Sequence, residues 1–215
     1  MLKDTIKKIR HRVRNRLVLS LIFEKLSAIG INIRLSYLTQ ECLFDEIDQN
    51  LKPELGPLTA EFLSFSETKI IYDHPESKLA MIDNKKKYIE DGYRCFALKY
   101  NDEIMTYMWC NLMKCHGVYP FPLKEDEAYL SGAYTFSAYR GKYLAPVLRY
   151  QLYQHLNKLG RTKFYSFTEV FNTPAIKFKN KLKATPLNII IKITLFNKYN
   201  WDYKIRSPQK FILPI

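Results

Sequence analysis

The stretch that most constrains the fold runs from Ala128 to Gly160, because the apolar pattern changes character within it. Ala128 to Phe136 (AYLSGAYTF) is the aromatic and apolar run of a strand, with Gly132 inside it predicting a bulge or a close backbone approach. Leu144, Leu148, Leu152, Leu156 and Leu159 then recur at helical spacing, Pro146 suits an opening turn and Gly160 suits the stop. The join is Tyr139-Arg140-Gly141-Lys142-Tyr143. A strand, a short basic loop with glycine and a helix make a receptor for an anion, because the first N–H groups of the helix point at the loop and the macrodipole adds positive charge. Gly141 relaxes the turn, Arg140 and Lys142 add charge, and Leu144 anchors the helix.

The flanking sequence fixes the fold class. Ile31 to Leu38 alternates apolar and polar residues and predicts a strand. Helical spacing over Leu43 to about Asn50 and about Pro75 to Glu90 predicts two helices, separated by a connection containing Pro and Gly. Tyr93–Tyr100 and Ile104–Met113, joined by Asn101-Asp102-Glu103, predict a hairpin. After the leucine-striped helix, Lys163–Val170 predicts a strand, Thr173–Leu182 a helix, and Ile189–Phe196 with Trp201–Arg206 a closing pair of strands. Three consecutive strands exclude a simple parallel doubly wound fold. The order predicts a mixed α/β, or α+β, domain with helices on a central sheet.

At 215 residues, 47% apolar and 26% charged, the chain has the make-up of one globular domain, expected over residues 30–215 behind a basic amphipathic N-terminal helix at 1–29. The formal charge of +13 calls for an anionic partner: nucleic acid, a phosphorylated cofactor, an acidic carrier protein or an anionic membrane. Lys7 to Arg16 precede Leu17-Val18-Leu19-Ser20-Leu21-Ile22-Phe23, but Glu24 and Lys25 end the apolar run well short of the about 20 residues a membrane span needs. That helix either packs on the domain or lies on an anionic membrane surface. Cys42, Cys95, Cys110 and Cys115 have no disulfide-framework spacing, so reduced thiols and a cytoplasmic location, with peripheral membrane contact open, are expected. Cys110, Cys115 and His116 match no common zinc spacing, and no metal is expected.

With the loop placed, the region from about Ile31 to Arg206 resembles the GNAT superfamily of acyl-CoA N-acyltransferases. In that family a loop written Arg/Gln-x-x-Gly-x-Gly/Ala follows the fourth strand, and its backbone amides hold the pyrophosphate of coenzyme A. Arg140 and Ala145 match its ends, Arg140-Gly141-Lys142 matches a common start, and Tyr143 stands where the first glycine is usual. One strand later the family often carries Asn-x-x-Ala, matched by Asn172-Thr173-Pro174-Ala175. Asn172 is expected to cap the following helix, to touch the donor's pantetheine arm, or both. The helix's usual tyrosine, which protonates the leaving thiolate in many relatives, aligns with Lys179 beside Phe178. A lysine there more often faces solvent.

The resemblance implies a central mixed, mostly antiparallel sheet flanked by helices. It implies acetyl-CoA or another acyl-CoA as donor, with Tyr134, Phe136, Arg140, Gly141, Lys142, Tyr143, Leu144, Ala145, Asn172 and Phe178 at the cofactor. Backbone groups near Tyr134 and Phe136 would align the pantetheine. Glu127 and Glu169 are the candidate bases, each with a solvated strand-end carboxylate as its plain alternative, and Tyr134 is an alternative proton donor. The acceptor would be an amine, with an amino sugar among the options, and an acyl carrier protein could bring the acyl group. Two other readings stay open: a basic module that binds nucleic acid or a membrane surface, and a relative left inactive by Tyr143 and Lys179.

Overall fold

A computed structural model describes residues 18–42, 57–78, 89–206 and 211. In chain order they form α1 (Val18–Ala28), β1 (Ile31–Cys42), β2 (Thr59–Phe62), α2 (Phe65–Asp73), a 3-10 turn at Pro75–Lys78, β3 (Arg94–Tyr100), β4 (Glu103–Asn111), β5 (Lys114–Cys115), β6 (Phe121–Pro122), β7 (Glu127–Thr135), a 3-10 turn at Ser137–Tyr139, α3 (Leu144–Lys158), β8 (Lys163–Glu169), α4 (Thr173–Lys181), β9 (Thr185–Leu195) and β10 (Tyr199–Arg206). The protein is a mixed α+β chain with a mostly antiparallel sheet, as the element order predicts. It divides into two compact units: a first made of Met1–Glu41, Gly117–Tyr119 and Phe167–Ile215, and a second made of Cys42–His116 and Pro120–Ser166.

In the second unit β2, β3, β4 and β7 pair antiparallel in that order, and the start of β7 pairs parallel with β8. The β3–β4 hairpin turns on Asn101 and Asp102, both at positive φ, the geometry that suits the right-handed strand twist. The leucine stripe supplies the core. Leu144, Leu148, Leu152 and Leu156 of α3 are at most 2% exposed and pack with Phe96, Leu98, Met105, Met108, Ala128 and Leu130 from the sheet. Each fully buried leucine contributes about 1.5–3 kcal/mol, so this face alone fixes the helix on the strands. The stripe stops one leucine earlier than its spacing predicts. Leu159 is the C-cap and half exposed, because Gly160 at φ +78 ends the helix and Arg161 N–H closes it on the Leu156 carbonyl at 2.9 Å.

The connection expected between the first helices holds β2 and α2. Ser64 and Glu67 form a capping box: Ser64 N–H donates to the Glu67 carboxylate at 2.8 Å, and Glu67 N–H to Ser64 Oγ at 3.3 Å. The buried Lys99 of β3 ties this start to the sheet, donating to Glu61 at 2.6 Å and to Glu67. The Lys99 ammonium and the Ser64 hydroxyl pull the Glu67 carboxyl down to about 2. The helix expected over Leu43–Asn50 lies outside the described residues, as do residues 1–17 and most of the one expected over Pro75–Glu90, whose described parts are the 3-10 turn and helical backbone at Ile89 and Glu90.

In the first unit β1, β9 and β10 form an antiparallel ladder with β9 in the middle. Asn172 caps α4, its Oδ1 accepting from Ala175 N–H at 3.1 Å, and Pro174 sits in the first turn. Lys179 does not face solvent. Its side chain is 5% exposed and donates to the carboxylate of Glu41 on β1, which is 0% exposed. A buried ammonium needs such a partner, and the Glu41 carboxylate supplies it.

None of the four cysteines is in a disulfide; burial pushes the Cys110 thiol up to about 12 and raises that of Cys115. Among the described residues no helix is long and apolar enough to cross a membrane, and no group of three His, Cys, Asp or Glu side chains could hold a metal.

Candidate functional site

The second half of β7 is where the sheet of the second unit opens. Parallel pairing with β8 covers only Glu127–Tyr129 against Lys163–Tyr165, although β7 continues to Thr135. The β4–β7 register slips between Tyr107↔Tyr134 and Trp109↔Ser131, so β7 spends an extra residue at Gly132–Ala133, and both are exposed. Gly132 sits at φ +58, and a Cβ there would meet the Trp109 ring at 2.9 Å. The bulge predicted from the lone glycine is thus real, with two causes: left-handed backbone and the indole beneath it.

Beyond the bulge, Tyr134, Phe136 and Arg140 come together. Tyr134 and Phe136 rings lie edge to face at 5.6 Å, and Tyr107 touches both at 5.8 Å. Their backbone is partly committed: Phe136 N–H donates to the Met105 carbonyl at 3.1 Å, and the Tyr134 carbonyl accepts the Thr106 hydroxyl at 2.8 Å. Arg140 folds back toward the strand, donating through Nε to the Thr135 carbonyl at 3.0 Å and through Nη2 to the Tyr134 hydroxyl at 2.8 Å.

Sequence reasoning missed Glu76. From the 3-10 turn after α2, its carboxylate accepts Ser137 N–H at 2.9 Å, the Ser137 hydroxyl and the Tyr134 hydroxyl at 3.0 Å, and stands 3.9 Å from Arg140. The Ser137 donors, with Tyr134 and Arg140, hold its carboxyl down at about 2. Burial and the Glu76 carboxylate raise the Tyr134 phenol against the opposing pull of Arg140, so Tyr134 stays protonated at neutral pH. No local sequence signal links Glu76 to residues about sixty positions away; only the fold makes them neighbours. The capping box of α2, by contrast, is legible as Ser64-x-x-Glu67.

The loop then delivers the start of α3. Gly141 takes φ +81 in open space, and Tyr143 takes φ +56, ψ 20 as the N-cap, half exposed and making no side-chain cap. The position where the resemblance expects glycine is therefore a left-handed one, which explains the usual residue. Pro146 has no N–H, so Leu144 and Ala145 carry the helix's leading donors, and Lys142 lies over the Tyr139 ring at 5.4 Å beside them. This end of the helix is positive, basic and without a side-chain cap.

The two candidate carboxylates are placed differently. Glu127 begins β7, seven residues from Tyr134, or roughly 23 Å of extended strand. It is 7% exposed, and its carboxylate accepts Lys124 N–H at 2.9 Å and the Tyr165 hydroxyl at 3.1 Å. Burial first, and Glu127 second, push the Tyr165 phenol up to about 12. Glu169 ends β8 in the first unit with an exposed side chain, its carbonyl accepting Asn172 N–H at 3.0 Å. Phe178, half-buried on α4, belongs to that unit as well.

The sequence model of the acetyltransferase (GNAT) family matches residues 59–183, from the start of β2 to two residues past α4, narrower than the Ile31–Arg206 span of the resemblance. No curated protein matches the chain. Among solved structures, a protein from Novosphingobium aromaticivorans named for the GNAT acetyltransferases superposes with a TM-score of 0.51 at 16% identity, over 83% of this chain and 69% of that one. A functionally unknown conserved protein from Staphylococcus epidermidis gives 0.54 at 10% identity, over 81% and 66%. A GCN5-related N-acetyltransferase from Kribbella flavida gives 0.51 at 12%, over 79% and 62%. At these identities the superpositions speak for the fold, and the chain spans about two thirds of those proteins' lengths. The family match covers well over half of the 215 residues, and with the bulged strand, the basic loop and the leucine-striped helix it makes this chain a member of the GNAT acetyltransferase family.

Proposed function

We propose that the protein is an acyl-CoA-dependent N-acyltransferase, with acetyl-CoA its donor and an amine its acceptor. The observation that carries this reading is the start of α3: left-handed Tyr143, N–H groups of Leu144 and Ala145 without a side-chain cap, and two basic residues in the loop before them. A pyrophosphate there gains backbone donors, the helix dipole and local positive charge together. Family membership supports acyl transfer from acyl-CoA in general terms.

Acyl transfer needs a polarised thioester carbonyl, a neutral amine and a protonated leaving thiol. The exposed backbone of β7 at Gly132–Ala133 offers the donor's pantetheine a strand edge. Tyr134, protonated at neutral pH, is the proton donor to the thiolate. Glu127 and Glu169 are the two carboxylates to test for the base; a rate loss of tenfold or more in Glu127→Gln or Glu169→Gln alone assigns it, and near-native rates in both remove the two from the mechanism. An amino sugar fits the amine acceptor class, and an acidic acyl carrier protein fits the net charge as an alternative donor.

The test is a thermal-shift titration of the native protein with acetyl-CoA, longer acyl-CoAs and free coenzyme A. At a hundredfold excess over Kd, binding adds about 2.7 kcal/mol of stability. No stabilisation by any of the three sinks the reading.

A further inference from the structure

The first unit carries an apolar sheet face whose cover runs out toward the edge. Pairing places Ile31, Ile33, Leu35 and Tyr37 of β1 opposite Leu195, Ile193, Ile191 and Ile189 of β9, and these opposite Tyr199, Trp201, Tyr203 and Ile205 of β10. Paired residues share a face of an antiparallel sheet, so the three rows form one continuous apolar surface. Tyr37 on the inner strand is 0% exposed, the β9 residues are half-buried, and the four on β10 are 43–53% exposed. All eight residues of β10 are exposed, and the strand is the end of the ladder among the described residues. Long, flat, apolar edge strands invite another strand, and proteins usually blunt them with charge, proline or a bulge. Here the β9–β10 register is unbroken and β10 holds no proline.

The charges on the opposite face select the partner. Along β10 they read Asn200, Asp202, Lys204, Arg206. When a second β10 pairs antiparallel around Tyr203, Asp202 of each copy faces Lys204 of the other, Trp201 faces Ile205, and Asn200 faces Arg206. Moving the axis to Asp202 puts two aspartates opposite each other; moving it to Lys204 opposes two lysines, and moving it to Trp201 opposes Lys204 to Lys198. A one-residue slip turns the apolar row to the wrong face.

We propose that β10 is a self-complementary edge through which two copies of this chain associate, with a two-fold axis at Tyr203 and reciprocal Asp202–Lys204 pairs. The interface is isologous, as two-fold symmetry requires, and joins the apolar rows of both copies into one continuous surface across the paired edges. It does not depend on the acyl-transfer reading.

Sedimentation of the full chain over a concentration series tests it. The native protein sediments as a dimer that dissociates on dilution. Asp202→Lys and Lys204→Asp each weaken the dimer by about tenfold or more, since each places like charges opposite one another at two symmetric positions. The double variant, with the charges exchanged, restores it. Lys204 also lies over the Tyr119 ring at 5.6 Å, a contact that neither Lys204→Asp nor the double variant keeps, so recovery in the double variant reports the intermolecular pair alone. Circular dichroism melts of all variants establish that each is folded. A native chain that stays monomeric at every concentration overturns the proposal, and so does a double variant no tighter than the singles.

Discussion

Two helices of this protein leave a strand through a short loop, and their N-termini are finished in opposite ways. At α4, Asn172 turns its side chain onto Ala175 N–H and Pro174 removes a donor, so the helix closes on itself. At α3, Tyr143 bends through left-handed backbone, contributes no cap, and leaves the leading donors to Leu144 and Ala145, with Arg140 and Lys142 close by. A helix start completed by its own chain is scaffold. One left without a side-chain cap among basic residues, at the cost of a strained tyrosine, is under the proposed function the place for the donor's pyrophosphate. Substitutions at the two should therefore separate, with α4 reporting stability and α3 reporting ligand.

The largest effect is expected at the scaffold helix. Lys179→Ala leaves the Glu41 carboxylate fully buried without its ammonium, and should lower urea-unfolding stability by about 3–5 kcal/mol. Glu41→Leu combined with Lys179→Met should regain most of that loss, because the uncompensated charge is gone. A loss under 1 kcal/mol in Lys179→Ala would mean that the pair is hydrated rather than buried.

Next is Arg140→Ala at the other helix. Hydrogen bonds to charged groups contribute about 1.5–3 kcal/mol, so coenzyme A affinity should fall by roughly tenfold to a hundredfold by calorimetry. The guanidinium is half exposed, so the unliganded melting temperature should move little. Affinity unchanged while stability drops would make Arg140 a brace for Tyr134 and Glu76 instead of a ligand contact.

The contrast between the two helices was half legible in the sequence. Leucine spacing, Pro146 and Gly160 located α3, and Asn172-Thr173-Pro174 announced a capped α4, because caps and stripes are local signals. Gly132 announced the bulge for the same reason. Lys179 reads as solvent-facing in the sequence because nothing near it predicts that Glu41, 138 residues earlier, lies beside it. Glu76 is illegible on the same ground: its three hydrogen-bond donors come from Tyr134 and Ser137, with Arg140 3.9 Å away, and long-range polar clusters carry no period. β2 and α2 lie in a stretch whose prolines and glycine read as a connection, although Ser64 and Glu67 spell out a helix start.

Asn172→Ala should cost about 1 kcal/mol, the usual worth of an asparagine cap, and leave coenzyme A affinity within about twofold if capping is its whole role. A larger drop in affinity than in stability would give Asn172 a second function at the donor and weaken the division between the two helix starts.

The smallest effect tests the strain itself. Tyr143 at φ +56 pays a left-handed penalty of about 1–2 kcal/mol that glycine escapes, while glycine's freedom in the unfolded chain returns part of it. Tyr143→Gly should therefore stabilise the protein by several tenths of a kcal/mol, about 1 at most. Because the tyrosine ring is half exposed, its removal should cost little packing. Coenzyme A binding then discriminates two reasons for keeping a tyrosine at this turn. If the ring crowds the phosphates, the glycine variant binds more tightly as well as melting higher. If the ring contacts the donor, stability rises while affinity falls, and the left-handed turn is retained for recognition by the side chain rather than by the backbone alone.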